Sequence, residues 1–139
     1  MRNDYGIRTV LDLPFTEAVG RTRNALAAEG FGVLSEIDLK EKLREKLGVE
    51  VDPYIILGAC NPPLAYKALQ AEPEIGLLLP CNVIVYATSS TQTVVAAVDP
   101  DAMLSVVGEN AAVAEVAKDA RNRLLSVIAS LKSASPAVA

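Results

Sequence analysis

The chain has 139 residues, of which 51% are hydrophobic and 22% charged, and its formal net charge is −4. This length and composition predict a single globular domain with one core, and they exclude a disordered chain. The sequence contains no histidine, which excludes histidine-based catalytic triads, two-histidine metal sites and haem held by histidine.

The chain opens with a strand pattern followed by a helix pattern. Apolar and polar residues alternate over residues 5–13, which predicts a strand that ends at Pro14. The spacing of the apolar residues that follow predicts a helix capped by Thr16, running to Glu29 and stopped by Gly30.

A second predicted strand, Phe31–Ile37, leads into a short charged helix. Asp38 and Glu41 have the spacing of a capping box at the start of this helix, and Gly48 ends it. Acidic neighbours balance its basic residues, so we interpret it as a solvated helix rather than as an anion site.

The central segment, residues 53–87, contains both cysteines and the most apolar runs of the chain. Tyr54–Cys60 has the length and the β-branched content of a buried strand. Asn61 then has the position of a helix N-cap and Pro62 that of the first helical residue, and Pro73 stops this helix.

A further strand is predicted over Leu77–Tyr86. Pro80 lies within this run, and because proline cannot donate to a sheet ladder, it marks a bulge, an edge or a strand start. Side chains alternate faces from Cys81 onward, so Cys81 and Asn82 are predicted to lie on opposite faces of the sheet.

The dipeptide Cys-Asn occurs twice in the central segment, and Cys60, Asn61, Cys81 and Asn82 are our candidate ligand-binding residues. Cys60 lies where a strand ends and a helix begins, and helix N–H groups tend to lower the pKa of a nearby thiol. The alternative is that both cysteines are small packing residues and that Asn61 only caps the helix. We expect the two thiols to be reduced and to lie near each other.

The last third of the chain is predicted to form one strand and two helices. Thr93–Val98 is the return strand of a hairpin, and Asp99 and Pro100 begin a short helix that ends before Gly108. The final helix, about residues 110–131, carries one apolar stripe, which we interpret as core that covers the sheet rather than as a cofactor groove.

Several segments together resemble the bacterial and archaeal family called domain of unknown function 302. GACNPPLAYKAL followed by GLLLPCNVIVY is similar to the signature of this family, and the flanking segments LPFTEAVGRTRNALAAEGFGVLSEIDLKEKLREKLGVE and VVAAVDPDAMLSVVG also resemble it. The resemblance covers about Ile7 to Leu131, and the motif positions that match are Cys60, Asn61, Pro62, Pro80, Cys81 and Asn82. It implies a compact two-layer α+β domain, commonly a homodimer, and it implies no particular reaction.

We therefore expect one α+β domain over residues 1–131 and a flexible C-terminal tail over residues 132–139. The domain should have two layers, with about five largely antiparallel strands packed under two main helices. The helix between the two central strands is long enough for a crossover connection, which allows one parallel pair.

Three functions are compatible with the sequence. The one we favour is a small-ligand-binding domain whose pocket is lined by the four candidate residues. The second is a thiol-dependent sulfur or redox activity, with Cys60 as the activated thiol and Cys81 as its resolving partner, although the two do not form a Cys-X-X-Cys motif. The third is a structural or interaction module without a ligand.

The expected partners are a second copy of the chain and a small molecule. Symmetric pairing would cover an open sheet face or edge. Scattered basic residues and few aromatic residues argue against nucleic acid, and no apolar run reaches membrane-spanning length. The polar N-terminus predicts a cytoplasmic protein. We expect no cofactor and no metal, since two thiols without histidine fall short of the four ligands of structural zinc.

Overall fold

A computed structural model describes residues 5–133 of the chain. The strands are β1 (Gly6–Leu11), β2 (Gly32–Asp38), β3 (Tyr54–Cys60), β4 (Cys81–Ala87) and β5 (Thr93–Val98). The helices are α1 (Phe15–Ala28), α2 (Leu39–Leu47), α3 (Pro62–Ala71), α4 (Pro100–Val107) and α5 (Ala111–Ser133), and a 3₁₀ helix spans Pro73–Leu78.

The five strands form one sheet in the order β1-β5-β4-β3-β2, and every neighbouring pair is antiparallel. The predicted α+β fold with a five-stranded sheet is confirmed. The parallel pair that the sequence allowed is not present, because β4 returns alongside β3 in the opposite direction after α3 and the 3₁₀ helix. Strands β1 and β2 are the two edges of the sheet.

Helices α1 and α5 cover one face of the sheet and bury the main core against it. Side chains alternate along each strand, so every second residue of β3, β4 and β5 points to these helices. Leu57, Val83 and Val95 are 0% exposed on the strand side of this core, and Leu26 and Leu124 are 0% exposed on the helix side.

A smaller core lies at one end of the sheet, where α3, the 3₁₀ helix, α4 and the first half of α5 meet. Ala68, Ile75 and Val113 are buried at its centre. The side-chain amide of Asn110 joins two of these elements, because its nitrogen donates to the Ala71 carbonyl at 3.1 Å while its oxygen accepts from the Val113 N–H at 3.2 Å. This bond holds the end of α3 against the start of α5.

An ion pair fixes α4 in the same region. Asp99 caps α4 by accepting a hydrogen bond from the Asp101 N–H at 3.0 Å, and the guanidinium of Arg121 on α5 donates to both Asp99 oxygens at 3.1 and 3.3 Å. The predicted start of α4 at Asp99 and Pro100 is thereby confirmed. The paired carboxylate connects the beginning of α4 to the middle of α5.

Two local predictions are wrong. Thr16 does not cap α1, since the helix begins at Phe15 and its N-cap is Pro14, which makes no side-chain capping bond. Residues 77–80 are not part of a strand, because the 3₁₀ helix continues to Leu78 and β4 starts at Cys81.

The C-terminal helix continues beyond the predicted domain boundary. Helix α5 extends to Ser133, two residues into the segment expected to be a flexible tail. The rest of that segment, residues 134–139, lies outside the described residues. Within residues 5–133, none of the helices combines the length and the apolar character needed to cross a membrane.

Candidate functional site

The candidate site lies at the end of the sheet where β3 stops and β4 starts. Ala59 is opposite Cys81 in the β3–β4 ladder, and Cys60, the next residue, is opposite Gly32 in the β2–β3 ladder. This register places both cysteines at the same end of neighbouring strands. Neither forms a disulfide; Cys81 is buried and Cys60 is half-buried.

Asn61 is buried and begins α3 as predicted. Its side-chain oxygen accepts a hydrogen bond from the Leu64 N–H at 3.3 Å, and its main-chain carbonyl accepts one from the Ala65 N–H at 2.9 Å. Pro62 follows at the first helical position, where the N–H that proline lacks would have no partner inside the helix. The structure thus confirms that Asn61 is an N-cap.

A cavity of about 60 Å³, measured as space open to the centre of a water-sized sphere, lies beside the two cysteines. Its walls come from the ends of β3 and β4, from α3, from the loop before β4, and from α4 and α5. They are formed by Phe31, Ala59, Cys60, Asn61, Leu64, Ala65, Ala68, Ile75, Leu79, Pro80, Cys81, Pro100, Met103, Leu104, Val107, Val113, Val116, Ala117 and Ala120. Asn61 is the one residue in this wall whose side chain carries oxygen or nitrogen. The cavity is therefore an apolar space with one amide and two thiols at its edge.

Burial raises the pKa of the Cys81 thiol to about 11, and the neighbouring Cys60 adds to this shift because two thiolates would repel each other. Cys81 is consequently a neutral thiol at neutral pH. A neutral thiol is a weak hydrogen-bond donor and a poor nucleophile. Its contribution to the cavity is that of a small, polarizable apolar group.

Pro80 forms the wall immediately before Cys81 and packs closely against β3. A Cβ atom added at Gly58 would meet the Ser35 hydroxyl and would lie 2.7 Å from Cγ of Pro80, which is too close for a side chain. The Leu79–Pro80 peptide bond is cis. Of the three roles considered for Pro80, the structure shows the strand start. Gly58 on the neighbouring strand β3, which lacks a side chain, leaves the room that the Pro80 ring requires.

Asn82 is separated from the other three candidate residues. It is exposed on the opposite face of the sheet from Cys81, as the alternation along β4 predicts. There it borders a different, open hollow together with Tyr54 and Tyr86. The structure therefore brings Cys60, Asn61 and Cys81 to one cavity and leaves Asn82 outside it.

The parts of the cavity wall that α4 and α5 contribute were not predicted from the sequence. The first half of the apolar stripe on α5 lines the cavity with residues that include Ala117 and Ala120, whereas its second half, with Leu124 and Leu131, packs in the main core. The one feature of the sequence that could have indicated these walls is this change from small to large residues along the apolar stripe of α5. Small side chains at a helix interface leave space that large ones would fill.

The described residues offer no cluster for a metal ion. Within residues 5–133, no three or more cysteine, aspartate or glutamate side chains lie close enough together to hold one.

A five-stranded antiparallel sheet with helices on one face and an apolar cavity at one end defines the class of this protein as a two-layer α+β domain. The chain belongs to the family described as Domain of unknown function DUF302, whose profile matches residues 7–131. The resemblance seen in the sequence is confirmed. No curated protein matches the chain.

A solved structure supports the same assignment. The crystal structure of an uncharacterized conserved protein DUF302 from Bacillus stearothermophilus is similar to this chain, with 29% sequence identity and a TM-score of 0.82. The similarity covers 91% of this chain and 98% of the other. The two proteins therefore share the whole domain and not only a local motif.

Proposed function

We propose that the protein binds a small, largely apolar molecule in the cavity beside Cys60, Asn61 and Cys81. The observation that carries this proposal is the composition of the wall, in which hydrocarbon groups surround one amide and two thiols. Ligand sites are commonly apolar spaces with a few polar groups that set orientation. One water needs about 10–15 Å³ of such space. The 60 Å³ available here suits a ligand of a few non-hydrogen atoms, or one end of a larger one.

Asn61 is the group that would orient the ligand. The oxygen of the Asn61 side-chain amide accepts the hydrogen bond that caps the helix. The nitrogen of the same amide is a hydrogen-bond donor, and Asn61 is the one strongly polar side chain in the cavity wall. A ligand with a hydrogen-bond acceptor at one end and an apolar body matches this arrangement. Because the cap fixes the amide, its donors are held in place before the ligand arrives.

The thiol-dependent alternative has one supporting observation, which is that both cysteines border the same cavity. The pKa of Cys81, raised to about 11, counts against it, because a resolving cysteine acts as a thiolate. Binding without thiol chemistry is therefore the function that the geometry supports better.

We also propose that the protein works as a homodimer in the cytoplasm. Two cysteines without a disulfide suit a reducing compartment. Support for the dimer comes from the sheet, since helices α1 and α5 cover only one of its faces. A second copy could bury the other face, and two-fold pairing is the commonest way in which soluble chains do so.

A cavity-filling variant tests the ligand proposal. Ala117 lines the cavity from α5, and Ala114 is exposed one turn earlier on the same helix. Benzene, used as a small apolar probe, should raise the thermal midpoint of the wild-type protein, since a ligand that binds only the folded state stabilises it. Ala117→Met should abolish this rise by filling the space, whereas the control Ala114→Met should retain it.

Two results would contradict the proposal. If benzene does not stabilise the wild-type protein, the cavity does not take up an apolar ligand, and the structural-module function is favoured instead. If benzene stabilises the Ala117→Met variant as much as the wild type, the binding site lies elsewhere.

A further inference from the structure

The open hollow that Asn82 borders is a second concave surface, separate from the cavity beside the cysteines. It lies on the face of the sheet that turns away from α1 and α5, here called the outer face. Its volume is about 540 Å³ in the same measure that gives about 60 Å³ for the cavity. Small-molecule sites have volumes of about 300–1,000 Å³, so the hollow has room for a ligand that the cavity cannot hold.

The register of the strands explains the floor of the hollow. Ala96 on β5 is paired with Arg8 on β1 and with Ile84 on β4, and because paired residues share a face, all three side chains lie on the outer face. The methyl group of Ala96 is shorter than the side chains on either side of it. Gly6, which is paired with Val98 on the edge of the hollow, has no side chain. Small residues between larger ones therefore form the depression.

Aromatic rings form one wall. Three of the four tyrosines in the chain line this hollow. The rings of Tyr54 and Tyr86 stack with their centroids 5.4 Å apart. Burial raises the pKa of Tyr54, and the phenols of Tyr86 and Tyr5 add to this shift because phenolates would repel each other. Tyr54 is therefore a neutral hydroxyl, and a hydrogen-bond donor, at neutral pH.

Arg8 places a positive charge beside these rings. Of the six arginines in residues 5–133, five form ion pairs with aspartate or glutamate, and the exception is Arg8. Within the described part of the chain, neither aspartate nor glutamate lines the hollow. An exposed guanidinium without a carboxylate of its own, in a chain of net charge −4, leaves its paired donors for an external anion.

We infer that the outer-face hollow binds a planar aromatic carboxylate. The guanidinium fork of Arg8 matches the two oxygens of a carboxylate, while Ile84 and the ring of Tyr86 offer apolar surface to an aromatic body. The exposed amide of Asn82 adds a hydrogen-bond donor on the same face. A carboxylate is favoured over a phosphate because, among the described residues, Arg8 is the one cationic side chain that lines the hollow. This site is independent of the ligand proposed for the cavity.

Isothermal titration of the full chain with naphthoate, a two-ring aromatic carboxylate, tests this inference. Arg8→Gln should weaken naphthoate binding by about ten-fold or more, because hydrogen bonds to charged groups contribute strongly to affinity. The control Lys118→Gln removes the same charge from an exposed site on α5, which covers the opposite face of the sheet, and should bind like the wild type. Naphthamide, which is planar but uncharged, should bind the wild type and Arg8→Gln equally weakly.

The outcomes separate this site from the cavity. Ala117→Met, which fills the cavity, should bind naphthoate as tightly as the wild type does; loss of binding in this variant would place naphthoate in the cavity and refute the inference. Equal weakening by Arg8→Gln and Lys118→Gln would show that only net charge matters, which also refutes it. A wild-type protein that benzene stabilises but that takes up no naphthoate would refute the outer-face site and leave the cavity proposal in place. Circular dichroism of the variants shows whether each is folded, so that a loss of binding is not a loss of structure.

Discussion

The cap of α3 is the best place to test whether the motif Cys60-Asn61 has a structural role apart from any ligand. Asn61→Ala removes the oxygen that accepts the hydrogen bond from the Leu64 N–H. The helix start is buried, since Asn61 is 8% and Leu64 is 7% exposed, so water cannot fully replace the lost acceptor. Loss of an N-cap of this kind costs about 1 kcal/mol of unfolding free energy.

This cost converts into a measurable shift of the thermal midpoint. An unfolding entropy of about 2.1 cal/mol/K per residue gives roughly 0.3 kcal/mol/K for a chain of 139 residues. A loss of about 1 kcal/mol should therefore lower the midpoint by about 3–4 °C in a calorimetric scan of the ligand-free protein. Asn61→Ser, which keeps a capping oxygen, should recover most of this loss.

A matched substitution controls for the change of residue type. Asn24 is exposed in the middle of α1 and caps nothing, so Asn24→Ala should leave the midpoint unchanged or raise it slightly. An Asn61→Ala midpoint equal to that of the wild type would show that the cap contributes nothing.

Two further predictions concern the residues around the cavity. Burial, with a smaller contribution from Cys60, raises the pKa of Cys81 from 9.0 to about 11, so the folded state holds this proton more tightly than the unfolded state. The unfolding free energy should therefore fall as the pH rises from about 9 to about 11. In urea titrations at these pH values, the unfolding free energy of Cys81→Ala should fall less steeply than that of the wild type. Equal slopes of unfolding free energy against pH in the two proteins would contradict this pKa. Gly58→Ala should lower the unfolding free energy by about 1–3 kcal/mol, because the new methyl group meets both the Ser35 hydroxyl and the Pro80 ring. Gly32→Ala in the neighbouring strand has nothing within 4 Å of its added Cβ and should change stability far less; similar losses in both variants would argue against a specific clash at Gly58.

Local signals in the sequence were enough to predict most of the fold. Residues 54–60 and 93–98 were predicted as strands, and the structure has strands with these bounds. Asn61 was predicted as a cap from its place between an apolar run and Pro62, because capping depends on residues close in sequence. The largely antiparallel sheet under two helices was predicted as well, although the order of the elements still allowed one parallel pair that the structure does not have.

The errors arise where local patterns have more than one structural solution. The apolar run that begins at Leu77 fits a strand by composition, but a short apolar run does not distinguish a strand from other buried structure. Proline at position 80 left only the residues after it to pair with β3. Thr16 has the side chain of a cap, yet β1 already ends at Leu11 and Pro14 holds the extended backbone from which α1 starts.

The positions of the candidate residues relative to one another were predicted in part. The two cysteines and Asn61 were expected together, and they do line one cavity. Asn82 was grouped with them because of its repeated dipeptide, although alternation along β4 puts it on the other face. The walls from α4 and α5 depend on how distant segments pack, and the periodicity of one helix carries no information about the space its small residues leave.

We expect the space beside Cys60, Asn61 and Cys81 to accept an apolar ligand. Diffraction from crystals kept under xenon pressure tests this most directly, because xenon enters apolar cavities without needing a specific functional group. We expect xenon density bordered by Cys81, Leu104 and Ala117 in the wild-type protein, and none at this position in Ala117→Met. Wild-type crystals that hold xenon at other sites but not here would show that this cavity does not accept an apolar ligand.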